Sequence, residues 1–226
     1  METHIHKFNR FFTFLVCLFV LATPVYAHTF WLQANDSGAN LFLGDSADDQ
    51  RYEEESVKEA KGFRADGTPV ELEWAYSHGL LQLEAPQANV IWTKADYGYW
   101  RKTVRGWEEG TKEASGRTIT SAWHIQYSKL VKEYSRPTKL DLELEIVIDS
   151  IDGKTMTGIV YLRGEPSPKI PLYIGHKKIA RTNKSGQFKF SAPKGSFVLS
   201  AIHKEDIEHP KVDQRIVTSS YTLRVR

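Results

Sequence analysis

Between turn-forming residues this chain leaves mostly short runs, and those runs are rich in β-branched and aromatic side chains. His28–Gln33, Val70–Tyr76, Leu80–Glu84 and Asn89–Lys94 come early; Thr157–Leu162, Ile170–Gly175 and Ser196–His203 come late. The runs are split by Gly, Pro, Asn and Asp, which supply a positive φ, a fixed φ or a side-chain bond to the backbone where a chain reverses. Lys178–Thr182, the turn Asn183–Gly186 and Gln187–Ser191 read as a hairpin, and Ser219–Arg226 reads as a closing strand. Short strands at this spacing bury one face by stacking sheet on sheet. The sequence therefore predicts an all-β fold of two antiparallel β-sandwich domains with little helix. Two stretches stay open: Asp48–Lys61 is a charged helical turn or loop, and Ser121–Tyr134 suits either a helix or a strand.

With 226 residues, 41% of them hydrophobic, the chain can fill one large core or two small ones. All six tryptophans (Trp31, Trp74, Trp92, Trp100, Trp107 and Trp123) precede residue 124, so the composition changes partway along. Pro137, which lacks an amide donor and restricts the residue before it, marks the expected junction. This gives a tryptophan-rich β domain over 28–136 and a second β domain over 137–226.

Residues 1–27 read as a secretory signal peptide. A basic start (Lys7, Arg10) precedes the apolar run Phe11–Ala22, and small residues sit before a cleavage point after Ala27. The run is shorter than the ~20 residues that span a bilayer, so the processed chain is expected to be periplasmic and not membrane-spanning. Cleavage removes Cys17, the one cysteine of the sequence. Any transition metal must then be held by imidazole, carboxylate, backbone or the terminal amine. Thirty Lys and Arg against 28 Asp and Glu leave a net charge of +2, too small a basic field for nucleic acid.

Cleavage after Ala27 makes His28 the first residue, so that its α-amine and imidazole Nδ1 can close one chelate ring on a metal. Both groups lose their protons to a metal near neutral pH, having ordinary pKa values of about 7.7–8.0 and 6.5. The plain alternative is a histidine exposed by chance. A second ligand is sought among the other histidines. His203 shares a strand face with Phe197, Leu199 and Ala201 and is expected at the rim of an apolar core, as a ligand or as a histidine satisfied by the backbone. His124, flanked by aromatic residues, is the third candidate. His78, His176 and His209 read as turn or surface residues.

The block Ala95–Gly110 offers flat rings (Tyr97, Tyr99, Trp100, Trp107) and cations (Arg101, Lys102, Arg105), either as a ligand face or as a tryptophan-packed core strand. No Ser–His–Asp signature, phosphate loop, HExxH motif or spaced carboxylate pair is present, so hydrolytic chemistry has no foothold.

Ala27–Leu32, Asp96–Thr103 with Gly106–Trp107, Gln126–Lys129, Asn183–Phe190, Ala201–His203 and Ser220–Leu223 together resemble one family. It is the bacterial exported family of unknown function related to the soluble periplasmic component of nickel- and cobalt-uptake systems. The resemblance implies a two-part β-rich protein that presents an N-terminal histidine, binds a transition metal and delivers it to a metal-uptake transporter. It carries His28 and His203 over as ligands. The second half also resembles the prealbumin-like (carboxypeptidase regulatory-like) domain, a sandwich with an immunoglobulin-like layout. The chain lacks the histidine-rich tract that metal storage would need.

Nickel and cobalt come from the resemblance, whereas the ligand chemistry alone suits Cu(II), Ni(II) or Zn(II). Two other classes remain: a copper oxidase with a histidine brace acting on a polysaccharide held by the aromatic block, and a sandwich that scaffolds without metal. The balance leans away from an enzyme.

Overall fold

The computed structural model describes residues 28–44 and 52–225; the signal peptide expected over 1–27 lies outside them. Nearly every apolar run becomes a strand. The portion before Pro137 gives β1 (Phe30–Ala34), β2 (Gly38–Leu43), β3 (Val57–Phe63), β4 (Pro69–Val70), β5 (Glu73–Ser77), β6 (Leu80–Glu84), β7 (Val90–Thr103), β8 (Gly106–Glu109) and β9 (Thr120–Val131). After it come β10 (Leu144–Asp152), β11 (Thr155–Leu162), β12 (Glu165–Pro166), β13 (Pro171–Ile174), β14 (Lys177–Arg181), β15 (Gln187–Ser191), β16 (Gly195–Asp206) and β17 (Gln214–Val225). Among the described residues the only helical element is a 3-10 turn at Glu54–Ser56. The protein is all-β.

Alternation explains why these runs form three layers. In β9 the odd positions Ile125, Tyr127 and Val131 enter one core, with Leu144, Ile146 and Ile148 of β10. The even-numbered Leu130 enters another, with Phe30 and Leu32 of β1. Residues two apart share a face of a strand, so a strand buried on both sides serves two cores. The middle layer is a nine-stranded sheet in the order β14-β13-β16-β17-β9-β7-β3-β4, with β8 paired to β7. One outer layer is β1-β2-β6-β5; the other is β10-β11-β12, with β15 also on β11.

Strands from both sides of Pro137 enter the middle sheet, because β17 pairs with β9. That pairing is parallel, the exception in an otherwise antiparallel set. Pro137 itself lies in the crossing from β9 to β10.

One open reading is decided and two others change. Ser121–Val131 is strand, and Val57–Lys61 pairs with β7 rather than forming a loop. The hairpin expected over Lys178–Ser191 is instead an arch. Its turn forms as the sequence implies, with the Asn183 carboxamide oxygen accepting from the Ser185 and Gln187 amides at 2.9 Å each. The arms then separate: β14 joins β13 in the middle sheet, and β15 joins β11 in the outer one.

Gly158 of β11 lets that outer layer close, since a Cβ there would lie 2.3 Å from the Val147 carbonyl oxygen and 2.6 Å from the Phe188 ring. Beneath it, Lys129 and Glu145 form an ion pair at 2.7 Å with side chains 1% and 0% exposed. The Lys129 ammonium also donates to the Thr138 carbonyl at 3.1 Å, and the Glu145 carboxylate accepts from the Leu140 and Leu142 amides. This pair fastens the crossing segment to the middle sheet.

Candidate functional site

The three candidate histidines divide between the two faces of the middle sheet. His203 pairs laterally with Val217, and Val217 with Ile125, so it looks toward the β10 layer. His124 lies in the next row, with Ile216 and Lys204, and looks toward the β1 layer. The segment entering β1 docks on the His124 side. Gln126, two residues from His124 on the same face, donates from Nε2 to the His28 carbonyl at 3.0 Å and accepts the Phe30 amide on Oε1 at 3.0 Å. Ser220 donates to the Phe30 carbonyl at 2.7 Å. The structure thus brings His28 and His124 to one side and leaves His203 across the sheet.

His124 is the unusual member. It is 4% exposed, and among the described residues neither of its ring nitrogens has a hydrogen-bond partner. Buried polar groups are ordinarily paired, and an orphaned one costs about 1–3 kcal/mol. Burial, with a smaller contribution from the Lys204 charge, pushes its pKa down to about 4, so the imidazole is neutral at pH 7 and both lone-pair chemistry and an N–H are on offer. Its ring meets that of Trp107 edge to face, with centroids 6.1 Å apart at 86°.

His203 has an ordinary setting. Strand β16 runs on past it to Asp206 instead of ending there, and its Nε2 lies 3.6 Å from Glu205 Oε2. Glu205 in turn belongs to a rim network in which Arg163 and Arg215 each bond both Glu143 and Glu205. The His203 expectation at a core rim therefore corresponds to a charged lattice between two layers. His78 stands in the β5–β6 turn, and His176 is exposed between β13 and β14. His209 stacks on Tyr99 at 5.7 Å and accepts the Lys211 amide on Nδ1 at 3.2 Å.

The aromatic block is divided in the same way. A bulge at Tyr97–Gly98 in β7, where Gly98 has φ +79°, reverses which side chains face each layer. Tyr97 stacks on Trp100 at 5.0 Å and packs edge-on against Phe30, on the His124 side. Tyr99 goes to the other face beside Trp123, whose Nε1 donates to Asp96 at 2.8 Å. The half-buried rings are thus packing groups first.

Among the described residues no group of three or more His, Cys, Asp or Glu converges on a metal-sized space. A cleft of about 1280 Å³, lined by Trp31, Leu130, Ser200, Thr222 and Arg224 among others, includes none of the histidines in its walls. Gln126 and Ser220 are the residues that reading for ligands passes over. The signal was present as a run of polar residues, His124, Gln126 and Ser128, at alternate positions of a strand whose intervening residues Ile125 and Tyr127 are apolar. Comparison with protein-family models, curated proteins and solved structures finds no match to this chain.

Proposed function

We propose that the processed chain is a periplasmic transition-metal-binding protein. It would supply nickel or cobalt to an uptake transporter, with His28 as the chelating residue and His124 as the second ligand. The observation that carries this reading is the buried, unpartnered His124 imidazole on the face where Gln126 holds the His28 carbonyl. A neutral imidazole kept free of other bonds is a metal ligand without a competing role. Of the original candidates His203 is left out, since the sheet stands between it and His28. Nickel, cobalt and the transporter rest on the family resemblance; the site chemistry equally accommodates Cu(II) and Zn(II).

A second reading uses the same two histidines. The terminal amine, His28 and His124 would form a histidine brace for copper, and Tyr97, Trp100 and Trp107 lie on the same side of the sheet. It differs in requiring reductant-driven oxidation of a glycan.

Titration of protein beginning at His28 with Ni(II), Cu(II) and Zn(II), beside a form carrying one additional N-terminal residue, tests both. The reading expects the extension to weaken binding at least tenfold and His124→Phe to weaken it further. Equal binding by processed and extended protein removes the amine from the site, and no binding by either leaves the scaffold class standing.

A further inference from the structure

Resting on that reading, we propose that Gln126 is a positioning residue that selects how the first residue of the processed chain grips its metal. An N-terminal amino acid offers a metal two rings: amine with its own carbonyl oxygen, or, for histidine, amine with imidazole Nδ1. Gln126 acts on that choice. Its amide is 2% exposed and bonds the main chain twice, donating to the His28 carbonyl and accepting from the Phe30 amide, both at 3.0 Å. The pattern is that of one rung of a sheet, supplied by a side chain. Only one amide orientation satisfies it, because the carbonyl of His28 needs a donor and the amide of Phe30 an acceptor.

The neighbouring groups are fixed as well. The Thr29 carbonyl accepts the Gly44 amide at 3.1 Å, and the Phe30 carbonyl accepts the Ser220 hydroxyl at 2.7 Å. The three carbonyls at the start of the chain are therefore all engaged. Turning the His28 carbonyl to a metal would break that part-buried bond and strand the Gln126 Nε2 donor. The ring of amine and imidazole does not require the Gln126 bond to break. The same bond holds the His28 carbonyl beside Gln126, two residues along β9 from His124 on the same face.

The test uses protein beginning at His28, with Cu(II) as the probe and electron paramagnetic resonance as the readout, in wild type, Gln126→Glu and Tyr52→Phe. A carboxylate at 126 still accepts the Phe30 amide but cannot donate to the His28 carbonyl, which is released. Tyr52→Phe is the packing control. It removes hydroxyl bonds to the Leu41 carbonyl and the Leu81 amide in the same outer layer and leaves both Gln126 bonds in place.

Gln126→Glu is expected to weaken Cu(II) binding at least tenfold and to alter the nitrogen hyperfine pattern; Tyr52→Phe is expected to stay within twofold with an unchanged spectrum. Should the buried carboxylate prevent folding, Gln126→Met, which neither donates nor accepts at these distances, takes its place with the same expectation. Wild-type affinity and spectrum in the 126 variant overturn the proposal, and so does an equal loss in Tyr52→Phe, which reduces Gln126 to a packing role. If wild-type protein with one extra N-terminal residue binds as well as the processed form, it is the metal-site reading that fails.

Discussion

Removing the Glu145 carboxylate should be the most damaging single change in the outer β10 layer, and removing Lys129 distinctly less so. The asymmetry follows from the partners. Glu145→Leu leaves the Lys129 ammonium, 1% exposed, with the Thr138 carbonyl at 3.1 Å and the Tyr221 ring at 5.1 Å, and also strands the Leu140 and Leu142 amides. Breaking a buried pair from one side costs about 3–5 kcal/mol, and each stranded amide adds about 1–3 kcal/mol. Glu145→Leu is then expected to cost about 5 kcal/mol or more, comparable to the whole stability of many domains. Lys129→Met leaves a carboxylate still solvated by two amides, and is expected near about 3 kcal/mol, the low end of the range for a broken pair.

The double variant should be more stable than Glu145→Leu alone, since the orphaned charge has gone. Urea unfolding followed by tryptophan fluorescence, whose reporters all precede residue 124, and by far-ultraviolet circular dichroism supplies the three values. Equal costs for the two single changes, or a double variant whose loss is the sum of both, would refute the reasoning.

The metal-free protein should lose stability as the pH falls from about 6.5 to 4. The unfolded His124 takes up a proton in that interval while the folded one, pushed down to about 4, does not. The sign is that of a base buried neutral, and a displacement from 6.5 to about 4 corresponds to about 3 kcal/mol. His124→Leu should flatten that part of a pH–stability curve; an unchanged slope would exclude the imidazole as its source. Glu143 and Glu205 act at lower pH. Burial raises their carboxyls, but Arg215 and Arg163 outweigh it and hold them below the usual range, so their contribution is lost as pH falls below about 4.5. Glu205→Gln should remove part of that acid loss in a pH-jump unfolding series. Gly158→Ala should cost at least about 3 kcal/mol by denaturant melt, because the new methyl meets backbone at 2.3 Å and cannot be accommodated by a side-chain rotation; a loss under 1 kcal/mol would show that the layer gives way.

The strands were legible because alternation and turn chemistry are local properties. Phe197, Leu199, Ala201 and His203 share a face in the sequence as in the structure. Sheet membership is another matter. The runs on either side of the Asn183–Gly186 turn look alike whether they zip together or diverge into two layers, and only the facing cores decide it. For the same reason Ser121–Val131 gave no clear period: a strand buried on both sides loses the contrast between its faces. The site followed this pattern. His28 and His124 could be singled out as residue types, but that β1 docks on the even-numbered side of β9, away from His203, depends on which layer covers which face. The Gly98 bulge, which splits the aromatic block between the layers, adds one residue to a ladder and leaves no mark beyond a glycine.

The parallel seam between β9 and β17 has a consequence for how the molecule comes into being. Ser121 and Asp213, joined at that seam, are 92 positions apart, and closing a loop of that length costs about 4 kcal/mol of chain entropy before any contact repays it. A polypeptide still under synthesis carries β9 with an open flank, a template for mispairing, until the strand that seals it has been made. Assembly of the widest layer is thereby held back to a late step, and a slow phase that shortens when the seam is stabilised is the kinetic mark of it.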